Sequence, residues 1–93
     1  MKYQRQFGSA SDVALREVTH ISALISDIDR VVRILDGDIT SEEERTRVSD
    51  PADPTYPILA RMLTARRDNL KETISALEKR LAGLLGRTAQ VPA

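Results

Sequence analysis

The chain has 93 residues, of which 41% are hydrophobic and 3% aromatic, and its sequence holds no cysteine. This composition predicts one small folded domain with an aliphatic core, and the missing thiols exclude disulfides, thiolate metal ligands and cysteine catalysis. Fourteen basic residues balance fourteen acidic ones, so no net charge draws the chain to nucleic acid or to an anionic membrane.

The N-terminal sequence MKYQRQFGSA lacks the apolar stretch of a secretion signal, and no segment approaches the roughly 18 apolar residues of a membrane span. We therefore expect a cytoplasmic protein without membrane contact. Arginine outnumbers lysine by eleven to three, a ratio that is typical of proteins from GC-rich bacterial genomes.

The first predicted element is a long helix over residues 10–36, preceded by a tail over residues 1–9. Its apolar residues recur at alternating steps of four and three, the heptad pattern of a helix that packs along one seam. Asp12 favours the helix start, and Asp29 and Arg33 are spaced to form an ion pair one turn apart. The seam consists of Ala14, Val18, Ile21, Ile25, Ile28, Val32, Leu35 and Ile39.

A connector over residues 37–56 is expected to join this helix to a second one. The stretch from Leu35 to Leu59 holds three of the four prolines. Residues 36–54 contain seven acidic and two basic residues, a net charge of −5. Residues 55–93 contain seven basic and three acidic residues, a net charge of +4. The chain is therefore dipolar although its total charge is zero.

The end of the first helix has two interpretations. Gly37 can act as a helix C-cap, and Ser41 with Glu44 forms a capping box that would start a short third helix. Alternatively, the first helix runs through Gly37 to about Arg47, because Ile39 keeps the heptad phase and a helical glycine costs only about 1 kcal/mol. The residue pattern does not decide between the two.

The second helix is predicted over residues 57–85, followed by a mobile tail over residues 86–93. Pro57 suits the first turn of a helix, and Thr55 can cap it. Leucine recurs every seven residues, and the alternate positions complete a second heptad seam. That seam consists of Ala60, Leu63, Arg67, Leu70, Ile74, Leu77, Leu81 and Leu84.

Arg67 interrupts the second seam at a position where an apolar residue is expected. A charged seam residue can specify the register or the partner of a helix pair. The interpretation that we favour places Arg67 near a solvated end of the hairpin, with its guanidinium reaching water.

The predicted fold is all-α: an antiparallel helical hairpin that pairs with a second copy into a four-helix bundle. The apolar stripe of the first helix is wider than one neighbour requires, because Leu15, Leu24 and Val31 flank its seam. A lone hairpin buries one side of each helix and is marginally stable, which favours self-association over contact with another helical protein. The predicted contact residues are Leu15, Val18, Ile21, Leu24, Ile25, Ile28, Val31, Val32, Leu35, Leu63, Leu70, Ile74, Leu77 and Leu81.

We accordingly expect a non-enzymatic interaction or assembly protein, with no catalytic residue, metal or cofactor. His20 has no second histidine or carboxylate four residues before or after it, and the three glutamates at 42–44 suit a helix N-terminus. Asp36 and Asp38 alternate as in a calcium-binding loop, but the glycine and the bidentate glutamate of such a loop are missing.

The alternative function is that of a nucleic-acid accessory protein. Phosphate contacts require basic side chains, and the second helix offers several. The candidates are Arg61, Arg66, Arg67 and Lys71. Interleaved acidic residues and the lack of stacking aromatics make this alternative the weaker one.

The connector offers one more candidate contact. Tyr56 and Ile58 flank Pro57 near the turn, where we expect both side chains to be exposed. A partner protein would then bind the hairpin through these two residues.

Overall fold

The structure, a computed structural model, describes residues 10–89, with side chains described for residues 12–86. The predicted N-terminal tail over residues 1–9 and the last four residues of the chain lie outside the described residues. Within the described range, two helices form an antiparallel hairpin without any strand: α1 is Ala10–Thr46 and α2 is Ile58–Ala89. The predicted all-α helical hairpin is thereby confirmed.

α1 is one continuous helix of 37 residues that passes through Gly37. The helix end predicted at residue 36 and the connector start predicted at residue 37 are therefore wrong, and the alternative of a helix to about Arg47 is correct. Ile39 is only 6% exposed where α1 packs on α2, and burial of its side chain contributes about 2 kcal/mol. This gain exceeds the cost of about 1 kcal/mol for a helical glycine.

Arg47 ends α1 in place of Gly37. It has a φ of 60°, the left-handed conformation that ends many helices and that the sequence predicts at Gly37. Ser41 and Glu44, which are predicted to begin a short third helix, lie inside α1. No third helix is present within residues 10–89.

Two aspartates shape the connector over residues 47–57. The Asp50 carboxylate accepts a hydrogen bond from the Ala52 N–H at 2.9 Å, and the Asp53 carboxylate accepts one from the Thr55 N–H at 2.8 Å. The Thr55 hydroxyl also donates to Asp53. Because α2 begins at Ile58, Pro57 and not Thr55 directly precedes it, and the predicted role of Thr55 as the cap of α2 is wrong. The prolines interrupt helical hydrogen bonding in this segment, and these local hydrogen bonds replace it. They stabilise the turns that reverse the direction of the chain.

α2 begins one residue later than predicted and ends four residues later. The Pro57 carbonyl accepts the first helical hydrogen bond, from the Arg61 N–H at 3.2 Å, since proline lacks a donor but keeps its acceptor. The helix continues through residues 86–89, so the tail predicted to start at residue 86 is helical in its first half.

The two predicted seams face each other along the hairpin. Every seam residue of both helices is buried or half-buried. Three contacts show which positions lie level with each other: Glu17 with Arg80, Asp36 with Arg67, and Glu43 with Tyr56. Facing positions therefore have residue numbers that add up to about 100.

The hairpin is a single layer of two helices, with Cα extents of 68 × 24 × 14 Å. Its core is correspondingly thin, because no large side chain among residues 12–86 is fully buried. Two wide faces of the layer stay open, since the described part of the chain has no further element to cover them.

Candidate interaction surface

The seam divides the hairpin surface into two wide faces. In heptad lettering, with the seam at positions a and d, the g and c positions of both helices lie on one face and the e and b positions on the other. The contacts agree with this division, because Glu17 and Arg80, both at g positions, form a salt bridge. Asp38, Arg45 and Leu59, also at g positions, border one shallow depression.

One of these faces carries most of the exposed hydrophobic side chains. Nine large hydrophobic side chains of the described residues are exposed, and six of them occupy g or c positions. One of the six, Val13, lies apart from the others near the start of α1. The other five extend from the middle third of α1 to the turn, and we call them the apolar face: Leu24, Val31, Ile34, Leu59 and Met62.

The remaining three exposed hydrophobic side chains form no comparable group. Leu15 and Leu85 lie on the opposite face near the open end, and Ile58 lies at the outer edge of α2. Ile58 is 75% exposed, so its predicted exposure beside the turn is confirmed. The apolar face is therefore the largest group of exposed hydrophobic side chains that the structure describes, and such groups mark interaction sites in globular proteins.

The opposite face carries ion pairs within the hairpin, and we call it the polar face. An Arg33 guanidinium nitrogen lies 2.7 Å from an Asp29 carboxylate oxygen, in the ion pair that the sequence predicts. Arg67 donates hydrogen bonds to Asp36 at 3.0 Å and to Asp68 at 3.2 Å. Because these charges neutralise each other while remaining hydrated, the polar face is suited to solvent.

Arg67 lies within the helix pair, ten residues into α2. The interpretation that places it near a solvated end is therefore wrong. Its side chain is 26% exposed and bridges to Asp36 of the other helix. The hydrogen bond to Asp36 raises the pKa of the Arg67 guanidinium more than partial burial lowers it. This contact supports the other interpretation, in which Arg67 specifies the register of the helix pair.

Tyr56 does not occupy the exposed position that the sequence predicts. Its side chain is only 5% exposed, and its hydroxyl donates a hydrogen bond of 2.7 Å to the Glu43 carboxylate. The Arg61 guanidinium carbon lies 5.2 Å from the centre of the ring. The proposed partner contact through Tyr56 is therefore corrected: this residue fastens the connector to α1.

Most of the predicted contact residues lie in the seam between α1 and α2 and are used within one hairpin. They are Val18, Ile21, Ile25, Ile28, Val32, Leu35, Leu63, Leu70, Ile74, Leu77 and Leu81. Leu24 and Val31 belong to the apolar face, whereas Leu15 lies across the hairpin from it. Sequence reasoning missed Ile34, Leu59 and Met62, whose g and c positions beside Leu24 and Val31 are the signal that identifies them.

The four predicted nucleic-acid contacts do not share one face. Arg67 pairs with Asp36 in the seam, and Arg61 donates a hydrogen bond of 3.2 Å to the Asp53 carbonyl. Arg61, Arg66 and Lys71 follow each other at five-residue steps, which turn a helix by about 140° each. The structure therefore does not gather these side chains into one basic patch, and nucleic-acid binding stays a prediction.

No group of three histidine, cysteine or carboxylate side chains among the described residues is placed to hold a metal ion. His20 is exposed. The Glu42 carboxylate accepts a hydrogen bond of 3.0 Å from Arg45, and this bond lowers the pKa of Glu42. Neither α1 nor α2, as far as the structure describes them, is apolar enough along its length to cross a bilayer.

Comparisons of the chain with protein-family models, with curated proteins and with solved structures found no match. The surface of the hairpin is therefore the basis for inferring what the chain does. On that surface, the placement of most exposed hydrophobic side chains on one face is the feature to be explained.

Proposed function

We propose that this chain is a non-enzymatic assembly protein that associates with itself, two hairpins packing through their apolar faces into a four-helix bundle. The observation that carries the proposal is the placement of six of the nine exposed hydrophobic side chains on one face. Removing apolar surface from water contributes about 25 cal/mol per Å². A second layer of helices would supply this gain and leave both polar faces in solvent.

The extent of the surface supports the same proposal. The solvent-accessible surface is 6628 Å² for a chain of 10.4 kDa, whereas a compact monomer of this mass exposes about 5,400 Å². The excess is larger than the roughly 800 Å² that each partner buries in a standard protein interface. A single layer of helices exposes this surface, and pairing of two layers would bury much of it.

Another helical protein is the competing occupant of the apolar face. We prefer a second copy because every copy of the chain has the same thin core and the same open face. One two-fold contact would therefore bury the apolar face of both copies. The proposal places the assembly in the cytoplasm, in keeping with the sequence analysis.

The test is the solution mass, measured by light scattering after gel filtration over a range of protein concentrations. Two variants on α1 form a matched pair, because Ile34 is 57% exposed on the apolar face and Leu15 is 60% exposed on the opposite face. Ile34→Lys should weaken the dimer at least tenfold, since each dimer loses two buried isoleucines at about 1–2 kcal/mol each. Leu15→Lys should leave the dimer unchanged.

Circular dichroism serves as the folding control for both variants. A wild-type chain that stays at 10.4 kDa at every concentration would refute self-association. Equal weakening by Ile34→Lys and Leu15→Lys would show that the apolar face is not the contact.

A further inference from the structure

We infer that the two copies pack antiparallel, so that the acidic turn end of each hairpin lies beside the more basic open end of the other. This inference rests on the proposed self-association and adds the orientation of the partners. It stands on two features of the molecule: the distribution of charge along the hairpin, and the order of residues along the apolar face.

Charge is distributed unequally between the two ends of the hairpin. The turn end, residues 36–64, contains seven acidic and three basic residues, a net charge of −4. The open end, residues 10–35 and 65–89, contains seven acidic and nine basic residues, a net charge of +2. In a parallel pair, the two turn ends would face each other and repel. An antiparallel pair brings opposite charges together, and charge complementarity of this kind fixes the orientation of partners.

Opposite charges also occupy g positions of α1 at equal distances before and after Val31. Glu17 and Arg45 lie fourteen residues before and after Val31. In an antiparallel pair with its two-fold axis near Val31, the Glu17 of each copy comes level with the Arg45 of the other. Both residues are held in salt bridges on their own hairpin, Glu17 with Arg80 and Arg45 with Glu42. Antiparallel pairing would extend these pairs into networks of alternating charge.

The hydrophobic side chains fit this axis as well. Leu24 lies seven residues before Val31, and Met62 of α2 lies level with the position seven residues after it, because facing positions add up to about 100. In the antiparallel pair, Leu24 of each copy therefore comes level with Met62 of the other, while Val31 lies near its own counterpart. These three of the five side chains of the apolar face are in this sense self-complementary, as a two-fold contact requires.

The absence of cysteine from the sequence makes the orientation measurable, because one introduced thiol is unique in the chain. Ser49 is exposed in the connector, away from the apolar face. In Ser49→Cys, nitroxide labels on the two turns should lie about 50 Å apart in an antiparallel dimer, since about eighteen residues separate each turn from the axis. In a parallel dimer, the two labels would lie within about the 24 Å width of the hairpin.

A second variant tests the position of the axis. Val31→Cys should form an intermolecular disulfide under mild oxidation, whereas Ser22→Cys, exposed at an e position of the same helix, should not. The expected result is a distance of about 50 Å between the labels at residue 49, measured by pulsed electron paramagnetic resonance, together with cross-linking at residue 31. A dimer with turn labels closer than about 25 Å would overturn the orientation, and a dimer without the residue 31 cross-link would overturn the position of the axis; both results would leave self-association standing. A monomeric mass would overturn both.

Discussion

Arg67 of α2 donates a hydrogen bond of 3.0 Å to Asp36 of α1, in the middle of a seam that is otherwise aliphatic. The ion pair occupies a position where the heptad pattern calls for an apolar side chain. A partly exposed ion pair contributes at most about 1 kcal/mol, whereas a buried leucine contributes about 2 kcal/mol. We therefore expect Arg67 to favour one register at the expense of stability.

The first prediction concerns the stability that arginine costs at position 67. Arg67→Leu should raise the free energy of unfolding by about 1 kcal/mol, because burial of leucine outweighs the lost ion pair. The substitution Lys79→Leu is the control, since Lys79 is exposed on the outer side of α2 and should change stability by less than about 0.5 kcal/mol. Urea titration of both variants at one fixed protein concentration measures the effect. A less stable Arg67→Leu would show that the ion pair contributes more than packing does.

The second prediction concerns the glycine inside α1. A Cβ built on Gly37 meets no heavy atom within 4 Å, so Gly37→Ala should stabilise the protein by about 1 kcal/mol through helix propensity alone. Gly83 has equally open surroundings but lies nearer to a helix end, so Gly83→Ala should give a smaller gain. Thermal unfolding by circular dichroism distinguishes them. A destabilising Gly37→Ala would indicate that the glycine is needed for a bend or a close contact.

The third prediction concerns the fastening of the connector. Tyr56→Phe keeps the ring but removes the hydroxyl that donates to Glu43 at 2.7 Å. We expect the melting temperature to fall by a few degrees, because the Glu43 carboxylate loses its buried donor. Ser49→Cys, in the same connector but exposed, should melt like the wild type. An unchanged melting temperature in Tyr56→Phe would show that the hydrogen bond is replaced by water at no cost.

The same tyrosine makes stability depend on alkaline pH. The hydrogen bond to Glu43, followed by burial, raises the pKa of Tyr56. A group whose pKa is raised on folding stabilises the protein below its unfolded pKa, about 10 for tyrosine, and loses that contribution as the pH rises through the folded pKa. Wild type should therefore lose stability above about pH 10 more steeply than Tyr56→Phe. Equal losses of stability in both proteins would show that ionisation of Tyr56 is not the cause.

The fourth prediction concerns salt. If opposite charges meet in an antiparallel dimer, added salt should raise its dissociation constant, since the Debye length shortens from about 10 Å at 0.1 M to about 3 Å at 1 M. A parallel dimer would respond in the opposite direction, because screening would relieve the repulsion between its two acidic turn ends. Sedimentation at several sodium chloride concentrations measures the change. Sodium sulfate is unsuitable, because it also strengthens hydrophobic contacts.

Much of the fold follows from local patterns. The heptad spacing of apolar residues in α1 and α2 predicts two helices with one seam each, and the prolines between them predict a reversal. These features depend on residues close together in the chain, and the structure confirms them. For the same reason, Leu24 and Val31 could be identified from sequence as flanking residues that one neighbouring helix does not cover.

Other features depend on what the second helix brings near the first. Gly37 has the chemistry of a helix end, but the burial of Ile39 against α2 carries the helix onward to Thr46. Arg67 and Tyr56 find their acceptors, Asp36 and Glu43, on the opposite helix. The spacing of residues within one helix does not predict such partners, because the two residues of each pair are separated by thirteen or more residues in the chain.

The apolar face shows most clearly which features depend on local sequence and which depend on the packing of the two helices. The sequence by itself determined which residues are hydrophobic and on which side of its own helix each one lies. Only the register of α1 against α2 decided that Leu24, Val31 and Ile34 share a face with Leu59 and Met62. The physical reason is that helix periodicity orients side chains around one axis, whereas a surface spanning two helices depends on how their seams interlock.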